Sequence, residues 1–217
     1  MKRFDNQLKI TELFHSLQGE SVTVGLPTVF IRLTGCPLRC QYCDTAYAFS
    51  GGEVRSIDDI MSQVATYQCR HVCVTGGEPL AQPACIQLLK KLCDAGYSVS
   101  IETSGARDIS DVDPRVMIVM DLKTPDSLEV DKNLLTNLNY LKATDQIKFV
   151  LCSRNDFEWA CTMMNEHRLA ERFQILFSPS WNQLSPRELA NWILEDKLPV
   201  RFQLQLHKIL WNDAPGH

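Results

Sequence analysis

The stretch VFIRLTGCPLRCQYC, residues 29–43, joins two patterns that together decide the fold. Its first five residues, Val29 to Leu33, are mostly β-branched or large and apolar, which predicts a strand. The next ten residues contain three thiols, with three residues between the first pair and two between the second: Cys36, Cys40 and Cys43. Clustered cysteines in a reducing compartment indicate metal or redox chemistry, so the end of a strand is predicted to carry a reactive loop.

Short β-rich runs alternate with helical periods on the carboxyl side of this stretch. Ser56 and Asp59 have the spacing of a capping box and predict a helix start. Further strands are predicted at 71–74, 98–101, 116–120, 147–151, 173–177 and 200–206, and helices at 85–95, about 128–141, 156–167 and from Ser185 onward. Such a βα repeat forms a closed or partial barrel or an open doubly wound sheet. We expect an α/β fold, a partial (β/α) barrel of about six to seven mostly parallel strands.

The polar and glycine-rich segments of the chain follow the predicted strands. In both kinds of βα fold, ligands bind at the carboxyl ends of the strands. The segments are the cysteine loop, 75–79, 102–105, 121–123, 178–180 and 207–208. We therefore expect them to converge on one active site.

Composition and charge narrow the class of protein. With 217 residues and 45% hydrophobic composition, the chain is predicted to form a single domain, 1–217, with a short substrate-binding leader at about 8–27. A net charge of −4 without a basic run argues against nucleic acid as a partner. No stretch reaches the roughly 20 apolar residues of a membrane span, and the start MKRFDNQLKI lacks the apolar region of a secretory signal. Nine cysteines, an odd number, fit a reducing compartment, so we expect a cytoplasmic protein without a membrane partner.

Three close cysteines leave two inorganic alternatives. A structural zinc site needs a fourth ligand, usually from a second Cys or His pair, and no such pair is evident elsewhere in the sequence. A [4Fe–4S] cluster normally takes four thiolates, so three would leave one iron open to a small-molecule ligand. The cluster is the better interpretation.

The cysteine motif resembles that of radical S-adenosylmethionine (SAM) enzymes, in which Cys-x3-Cys-x2-Cys carries an aromatic residue just before the third cysteine, here Tyr42. Gly76-Gly77-Glu78-Pro79 is similar to the glycine-rich segment of the same superfamily. The resemblance implies that the amino and carboxylate groups of SAM chelate the open iron. It also implies that an electron from the cluster cleaves SAM to a 5′-deoxyadenosyl radical.

A more specific resemblance, to the 7-carboxy-7-deazaguanine synthase family, extends over nearly the whole chain. It rests on Leu17-Gln18-Gly19-Glu20 before the first predicted strand, together with 12–14, Gly25, 30–32, 43–45, 75–79, 101–105 and 207–208. The family reaction, in queuosine and 7-deazapurine biosynthesis, converts 6-carboxy-5,6,7,8-tetrahydropterin to 7-carboxy-7-deazaguanine with loss of ammonia. The implied cofactors are a [4Fe–4S] cluster, SAM and Mg²⁺.

The resemblance also assigns roles to individual positions. It implies substrate contacts from Leu17, Gln18, Gly19, Arg32 and Thr75, and a magnesium ligand at Thr45. A guanidinium such as that of Arg32 suits bidentate recognition of a carboxylate. One hydroxyl is a weak Mg²⁺ site by itself, so the site is expected to form only with substrate present. Expected SAM contacts are Tyr42, Gly77, Glu102, Asp121, Leu122, Lys123 and Ser178.

Some positions leave the prediction open. The chain has Asp121-Leu122-Lys123 where the family has Ser-Pro-Lys, so only Lys123 matches. Glu102 is expected to bind either the SAM ribose or a backbone cap, and His207 is a candidate because it follows the last predicted strand. The tail 211–217 receives no role. The chemistry implies flavodoxin or ferredoxin as electron donor, and the family suggests a homodimer.

Two alternative functions compete with the synthase. A glycyl-radical-enzyme activase is also small and uses the same motif, but the leader 17–20 favours a carboxylated small molecule over a protein substrate. A non-catalytic iron–sulfur electron carrier normally ligates every iron with protein, which three cysteines do not provide.

Overall fold

One sheet of nine strands organises the computed structural model, which describes residues 6–212, 214 and 216. The strands are β1 (Gln7–Leu17), β2 (Pro27–Leu33), β3 (Glu53–Ser56), β4 (His71–Gly76), β5 (Ser98–Thr103), β6 (Met117–Asp121), β7 (Gln146–Leu151), β8 (Gln174–Pro179) and β9 (Arg201–Phe202). Their order across the sheet is β3-β1-β2-β4-β5-β6-β7-β8-β9. β1 pairs antiparallel with β2 and β3, and the remaining pairs are parallel.

This strand order confirms the partial barrel. The seven parallel strands follow one another in a single direction, whereas a doubly wound sheet reverses its order at a switch point. β3 and β9 stand at the two ends of the order, so the sheet of the described residues is open and not a closed barrel.

Six helices connect or follow the strands: α1 (Ile57–Thr66), α2 (Ala84–Asp94), α3 (Arg154–Glu166), α4 (Leu169–Arg172), α5 (Pro186–Glu195) and α6 (Leu206–Trp211). The predicted start of α1 is confirmed, because the Ser56 hydroxyl accepts the Asp59 N–H at 3.1 Å. The start of α5 at Pro186 is also confirmed, although the side chain of Ser185 makes no cap hydrogen bond.

Alternation along the strands separates the core from the site. Ile31 of β2, Val74 of β4 and Phe149 of β7 belong to one apolar core with buried side chains of α1, α2, α3 and α5. On each strand, the residues that alternate with these core residues point to the opposite face of the sheet. That face is concave and is lined by polar groups such as Arg32 and Lys148. The helices therefore cover one face, and the other face is left for ligands.

The predicted helix at 128–141 is wrong. A short 3-10 turn, Pro125–Ser127, precedes the segment, and the segment itself contains two more, Val130–Lys132 and Leu135–Asn139. Leu128 has a left-handed backbone, with φ of +64°, which ends the first turn. The Asn137 amide donates to the carbonyl oxygens of Gly105 at 3.0 Å and Arg107 at 2.8 Å. The apolar residues of this segment thus have helical spacing, but the backbone forms no α-helix. The asparagine side chain hydrogen-bonds neighbouring loops, which favours an irregular conformation.

The last strand is shorter than predicted, since β9 covers only 201–202 of the expected 200–206. After Phe202 the chain leaves the sheet and forms a hydrogen bond with the leader, in which the Leu206 N–H donates to the Gly19 carbonyl at 3.0 Å. α6 follows at once and was not predicted. Strands β1 and β3 were also not predicted, and β1 occupies the first half of the expected leader.

In the described part of the chain, no helix has both the length and the apolar character to span a bilayer. The first five residues of the segment examined for a secretory signal lie outside the described residues. So do three residues of the tail, Asp213, Pro215 and His217.

Candidate active site

A cavity of about 220 Å³ opens at the carboxyl ends of the parallel strands. Its walls come from the loops after β2, β4, β5 and β6, from β7, from the end of β1 and from the segment after β9. Five of the six segments predicted to converge line this cavity, and 178–180 is the exception. The expectation of one shared site is confirmed for those five.

The cysteine loop forms one wall of the cavity. Cys36, Cys40 and Cys43 all line it, are partly exposed and are free of disulfides. The loop is held by backbone hydrogen bonds, from the Cys43 N–H to the Cys40 carbonyl at 3.1 Å and from the Gly35 N–H to the Ala48 carbonyl at 2.8 Å. Burial raises the pKa of Cys36, and it raises that of Cys40 to about 11. Both thiols would therefore bind iron with release of a proton.

These thiols suit a cluster better than a single ion. Among the described residues, no three His, Cys, Asp or Glu side chains converge closely enough to hold one metal ion. A structural zinc site requires such convergence on one atom. A [4Fe–4S] cluster instead joins each thiolate to a different iron, which three cysteines around one cavity can provide.

The glycine-rich segment packs directly against the cysteine loop. The Glu78 N–H donates to the Gly35 carbonyl at 2.8 Å. A Cβ at Gly77 would lie 2.0 Å from the same carbonyl oxygen, so only glycine permits this approach. The fully buried Glu78 carboxylate accepts hydrogen bonds from Thr103, Ser104 and Leu80, which fixes the segment against the end of β5.

Asp121 and Lys123 face the cavity from the end of β6, while Leu122 between them is fully buried in the core. The Lys123 ammonium lies 3.1 Å from Asp121 Oδ2 and 5.7 Å from the centroid of the Tyr42 ring. Burial opposes the charge of Lys123, but Asp121, Tyr42 and Cys40 together outweigh it and raise the lysine pKa. Asp121 Oδ1 and the Tyr42 hydroxyl are buried without a hydrogen-bond partner among the described residues. They are therefore positioned to bind a polar ligand.

The predicted substrate residues form a connected polar wall. Glu102 accepts from Gln18 Nε2 at 3.3 Å and from the Thr75 hydroxyl at 3.0 Å. Gly19 lies beside His207, and a Cβ at Gly19 would lie 2.0 Å from His207 Nδ1. Leader, strand edge and C-terminal segment therefore meet at one place.

A second wall combines a cation with aromatic rings. Arg32 Nε donates to Glu12 Oε1 at 2.6 Å, and the Tyr47 hydroxyl donates to the same oxygen at 2.8 Å. The rings of Phe14 and Phe30 stack with centroids 5.1 Å apart. Glu12 engages Nε, and Nη1 donates to the Gly76 carbonyl at 3.5 Å, so Nη2 and the second hydrogen of Nη1 remain for a ligand. This wall suits a flat molecule that carries a carboxylate.

The structure places the predicted residues as follows. The cavity lining includes Leu17, Gln18, Gly19, Arg32, Cys36, Cys40, Tyr42, Cys43, Thr45, Thr75, Gly77, Glu102, Asp121, Lys123 and His207. Leu122 and Ser178 lie outside it, and both are buried. The contacts that each residue makes with a ligand stay predictions.

Several lining residues were missed. Lys148 is the most prominent, and its only sequence signal is a lysine inside the apolar run of β7. Gln205 was also missed, and it contacts Glu20 at 2.9 Å. Lys208 belongs to the expected segment 207–208, but its pair with Asp44 at 2.9 Å was not predicted. The partners in these contacts are far apart in sequence, so periodicity could not reveal them.

The fold and the cysteine loop define a radical SAM enzyme, and a family model described as the radical SAM superfamily matches residues 30–144. The 7-carboxy-7-deazaguanine synthase of Chlorobaculum tepidum is 44% identical to the chain, over 96% of the chain and 97% of the relative. That of Koribacter versatilis is 39% identical, over 94% and 97%. The chain belongs to the 7-carboxy-7-deazaguanine synthase family.

A solved structure shares the fold. The crystal structure of QueE from Escherichia coli superposes with a TM-score of 0.77 at 24% identity, over 93% of this chain and 95% of that one. At this identity the likeness supports the architecture alone.

Proposed function

We propose that the chain converts 6-carboxy-5,6,7,8-tetrahydropterin to 7-carboxy-7-deazaguanine with release of ammonia, as a carbon–nitrogen lyase of queuosine biosynthesis. The observation that carries this function is a single cavity shared by the three cysteines, the polar wall of Gln18 and Glu102, and Arg32. The activase and the electron carrier are less well supported, because both curated relatives described above are named as the synthase.

The residues of the chain have distinct tasks in this reaction. Cys36, Cys40 and Cys43 would hold a [4Fe–4S] cluster, which together with SAM would supply the radical chemistry that hydrogen removal from the substrate needs. Gly77 admits the backbone approach that SAM requires, and Asp121 Oδ1 offers an acceptor to it. The terminal nitrogens of Arg32 bind the substrate carboxylate, since a guanidinium can grip both oxygens.

The polar wall recognises the other end of the substrate. The carboxylate of Glu102, held by Gln18 and Thr75, is a strong acceptor for the N–H groups of a pterin ring. Phe14 and Phe30 supply a flat apolar surface beside it. Glu102 therefore fits a substrate contact better than the SAM ribose contact that the sequence left open.

Mg²⁺ is proposed to bind at Thr45, which lines the cavity. No cluster of three acidic or histidine side chains supports it among the described residues. The ion would therefore take its other ligands from water and from the substrate carboxylate, as Mg²⁺ commonly does.

We also propose a single catalytic domain that works as a homodimer in the cytoplasm, with flavodoxin or ferredoxin as the electron donor. Nine free cysteines fit a reducing compartment, and cleavage of SAM requires a one-electron reductant. Size-exclusion chromatography with light scattering tests the dimer.

An anaerobic assay tests the function. The protein is reconstituted with iron and sulfide and supplied with dithionite, SAM, Mg²⁺ and 6-carboxytetrahydropterin, and product is followed by mass spectrometry. We expect 7-carboxy-7-deazaguanine in amounts exceeding the SAM consumed. Cleavage of SAM without this product would contradict the substrate, and absence of cleavage would favour the electron carrier.

A further inference from the structure

A buried ion pair joins the leader to the far side of the barrel. Glu20 follows β1, and its carboxylate Oε2 pairs with the ammonium of Lys148 on β7. The order of the sheet places four strands between β1 and β7. Both residues line the cavity, so the pair crosses the cavity and does not brace neighbouring strands.

Both groups carry charge although both are more than nine-tenths buried. Burial alone would raise the pKa of Glu20, but the charge and hydrogen bond of Lys148, together with His207 and Gln205, lower that pKa overall. Burial alone would lower the pKa of Lys148, but Glu20, Asp121 and Glu102 together raise that pKa overall. The other oxygen of Glu20 accepts from Gln205 Nε2 at 2.9 Å, so the carboxylate is held on both sides.

The charge pair acts on the residues that face the substrate. The Glu20 N–H donates to Gln18 Oε1 at 3.1 Å, which leaves Gln18 Nε2 to contact Glu102 at 3.3 Å. A displacement of Glu20 would therefore turn the Gln18 amide away from Glu102. Lys148 is connected to the polar wall through one intervening residue.

Neutral hydrogen bonds extend the same attachment. The Ser21 N–H donates to Gln203 Oε1 at 2.8 Å, and Gln203 Nε2 donates to the Ser21 carbonyl at 3.0 Å. The Val22 N–H donates to Gln146 Oε1 at 3.0 Å. Residues 18–22 are thus fixed to β7 and to the segment after β9, across the open side of the partial barrel.

We propose that Lys148 is a positioning residue for substrate binding: by holding Glu20, it keeps the leader loop across the cavity with Gln18 and Gly19 facing the substrate. This inference rests on the proposed function. A role as proton donor fits poorly, because a lysine beside two carboxylates keeps its proton, whereas a general acid needs a pKa near the working pH.

The test compares Lys148→Met with Lys142→Met. Lys142 is the matched control: it pairs at 2.8 Å with the buried carboxylate of Asp145 near the amino end of β7, outside the cavity lining. We expect K148M to raise the KM for 6-carboxytetrahydropterin at least tenfold, with substrate-free reductive cleavage of SAM within twofold of wild type. K142M should leave both unchanged.

Hydrogen exchange gives a readout that is independent of turnover. In the protein without substrate, the amides of Ser21 and Val22 should exchange at least tenfold faster in K148M and at the wild-type rate in K142M. If K148M does not fold, Gln203→Leu replaces it, because it loosens the same loop without leaving a buried charge, and it should show the same two changes.

Three results would overturn the inference: a folded K148M whose KM stays within twofold, unchanged exchange at residues 21 and 22, or an equal loss of substrate-free SAM cleavage. The last would mean that Lys148 serves SAM. Wild-type protein that makes no product would instead refute the proposed function, and the exchange measurement would still decide whether Lys148 holds the loop.

Discussion

The Glu78 carboxylate accepts two hydrogen bonds from Ser104, one from its backbone N–H at 2.8 Å and one from its hydroxyl at 2.5 Å. Glu78 lies in the glycine-rich segment after β4, and Ser104 follows β5. A buried carboxylate surrounded by donors thus ties two neighbouring loops together. The position of Gly77 against the cysteine loop depends on this tie.

Glu78→Gln should weaken SAM binding at least tenfold. The amide keeps the shape of the carboxylate, but its NH2 group cannot accept hydrogen bonds from the N–H and O–H donors around Glu78. A buried donor left without an acceptor costs about 1–3 kcal/mol. Equilibrium binding of SAM to the reconstituted protein measures the effect, with Glu188→Gln, at an exposed residue of α5, as the control. Unchanged SAM affinity in a folded E78Q protein would show that the tie does not position the segment.

Two glycines should respond differently to alanine. At Gly77 the added Cβ would meet backbone, the Gly35 carbonyl at 2.0 Å, whereas at Gly19 it would meet the His207 side chain at the same distance. A side chain can rotate away and a packed backbone cannot. We therefore expect G77A to abolish SAM binding, and G19A to keep it while raising the KM for the pterin at least fivefold.

The matching experiment is a SAM titration and a pterin saturation curve for both variants. The reverse pattern, with SAM binding lost in G19A and kept in G77A, would contradict the assignment of the two walls. Adding His207→Ala to G19A removes the clash and tests whether the side chain is its cause.

The sequence could predict β2, β4, β6, β7 and β8 because each contains an apolar run that is largely buried. It could not predict β1 for two reasons. The pairing of β1 with β2 shifts register between Ile10 and Glu12, and the carboxyl-terminal half of β1 is only partly buried. An irregular, half-exposed strand leaves no clean alternation. The prediction of a helix at 128–141 was wrong although the pattern there is clear. The leucines have helical spacing, but the side chains of Asn133 and Asn137 donate to carbonyl groups of neighbouring loops.

The site was predictable where its chemistry is local. Three cysteines within eight residues indicate a metal centre. Because ligands of βα folds bind at the carboxyl ends of the strands, the other segments could be predicted to lie near it. Lys148 could not be found in this way, since its partner Glu20 is 128 positions distant and the lysine itself sits in an apolar strand. The two residues of such a pair come together only in the folded chain, so the sequence around either residue does not reveal the other.

The cysteine ligands are tested by four single alanine variants. C36A, C40A and C43A should each lose the brown absorbance of the reconstituted cluster and all cleavage of SAM, because each removes one iron ligand. C152A is the matched control: its Sγ lies 3.6 Å from the Gln41 side chain, close to the loop, but outside the cavity lining. It should keep both properties. Iron analysis that finds four irons in C40A would refute the ligand set.

The Glu20–Lys148 pair predicts how stability depends on pH. The lowered pKa of Glu20 means that its stabilisation is complete above its unfolded value of about 4.3 and is lost as the pH falls through the lower folded value. The raised pKa of Lys148 means that its contribution is complete below about 10.4 and is lost as the pH rises through the higher folded value. The pair should therefore contribute fully between about pH 5 and 10.

Glu20→Gln should then destabilise the protein most over this pH range, by about 3–5 kcal/mol, because it leaves the buried Lys148 without the carboxylate it is paired with. The deficit should shrink at acid pH, where wild-type Glu20 also becomes neutral. Urea unfolding of the apoprotein from pH 3 to 8, followed by circular dichroism, measures the difference, with exposed Asp111→Asn as the control. A deficit that stays constant down to pH 3 would mean that E20Q acts through its shape and not through the lost charge.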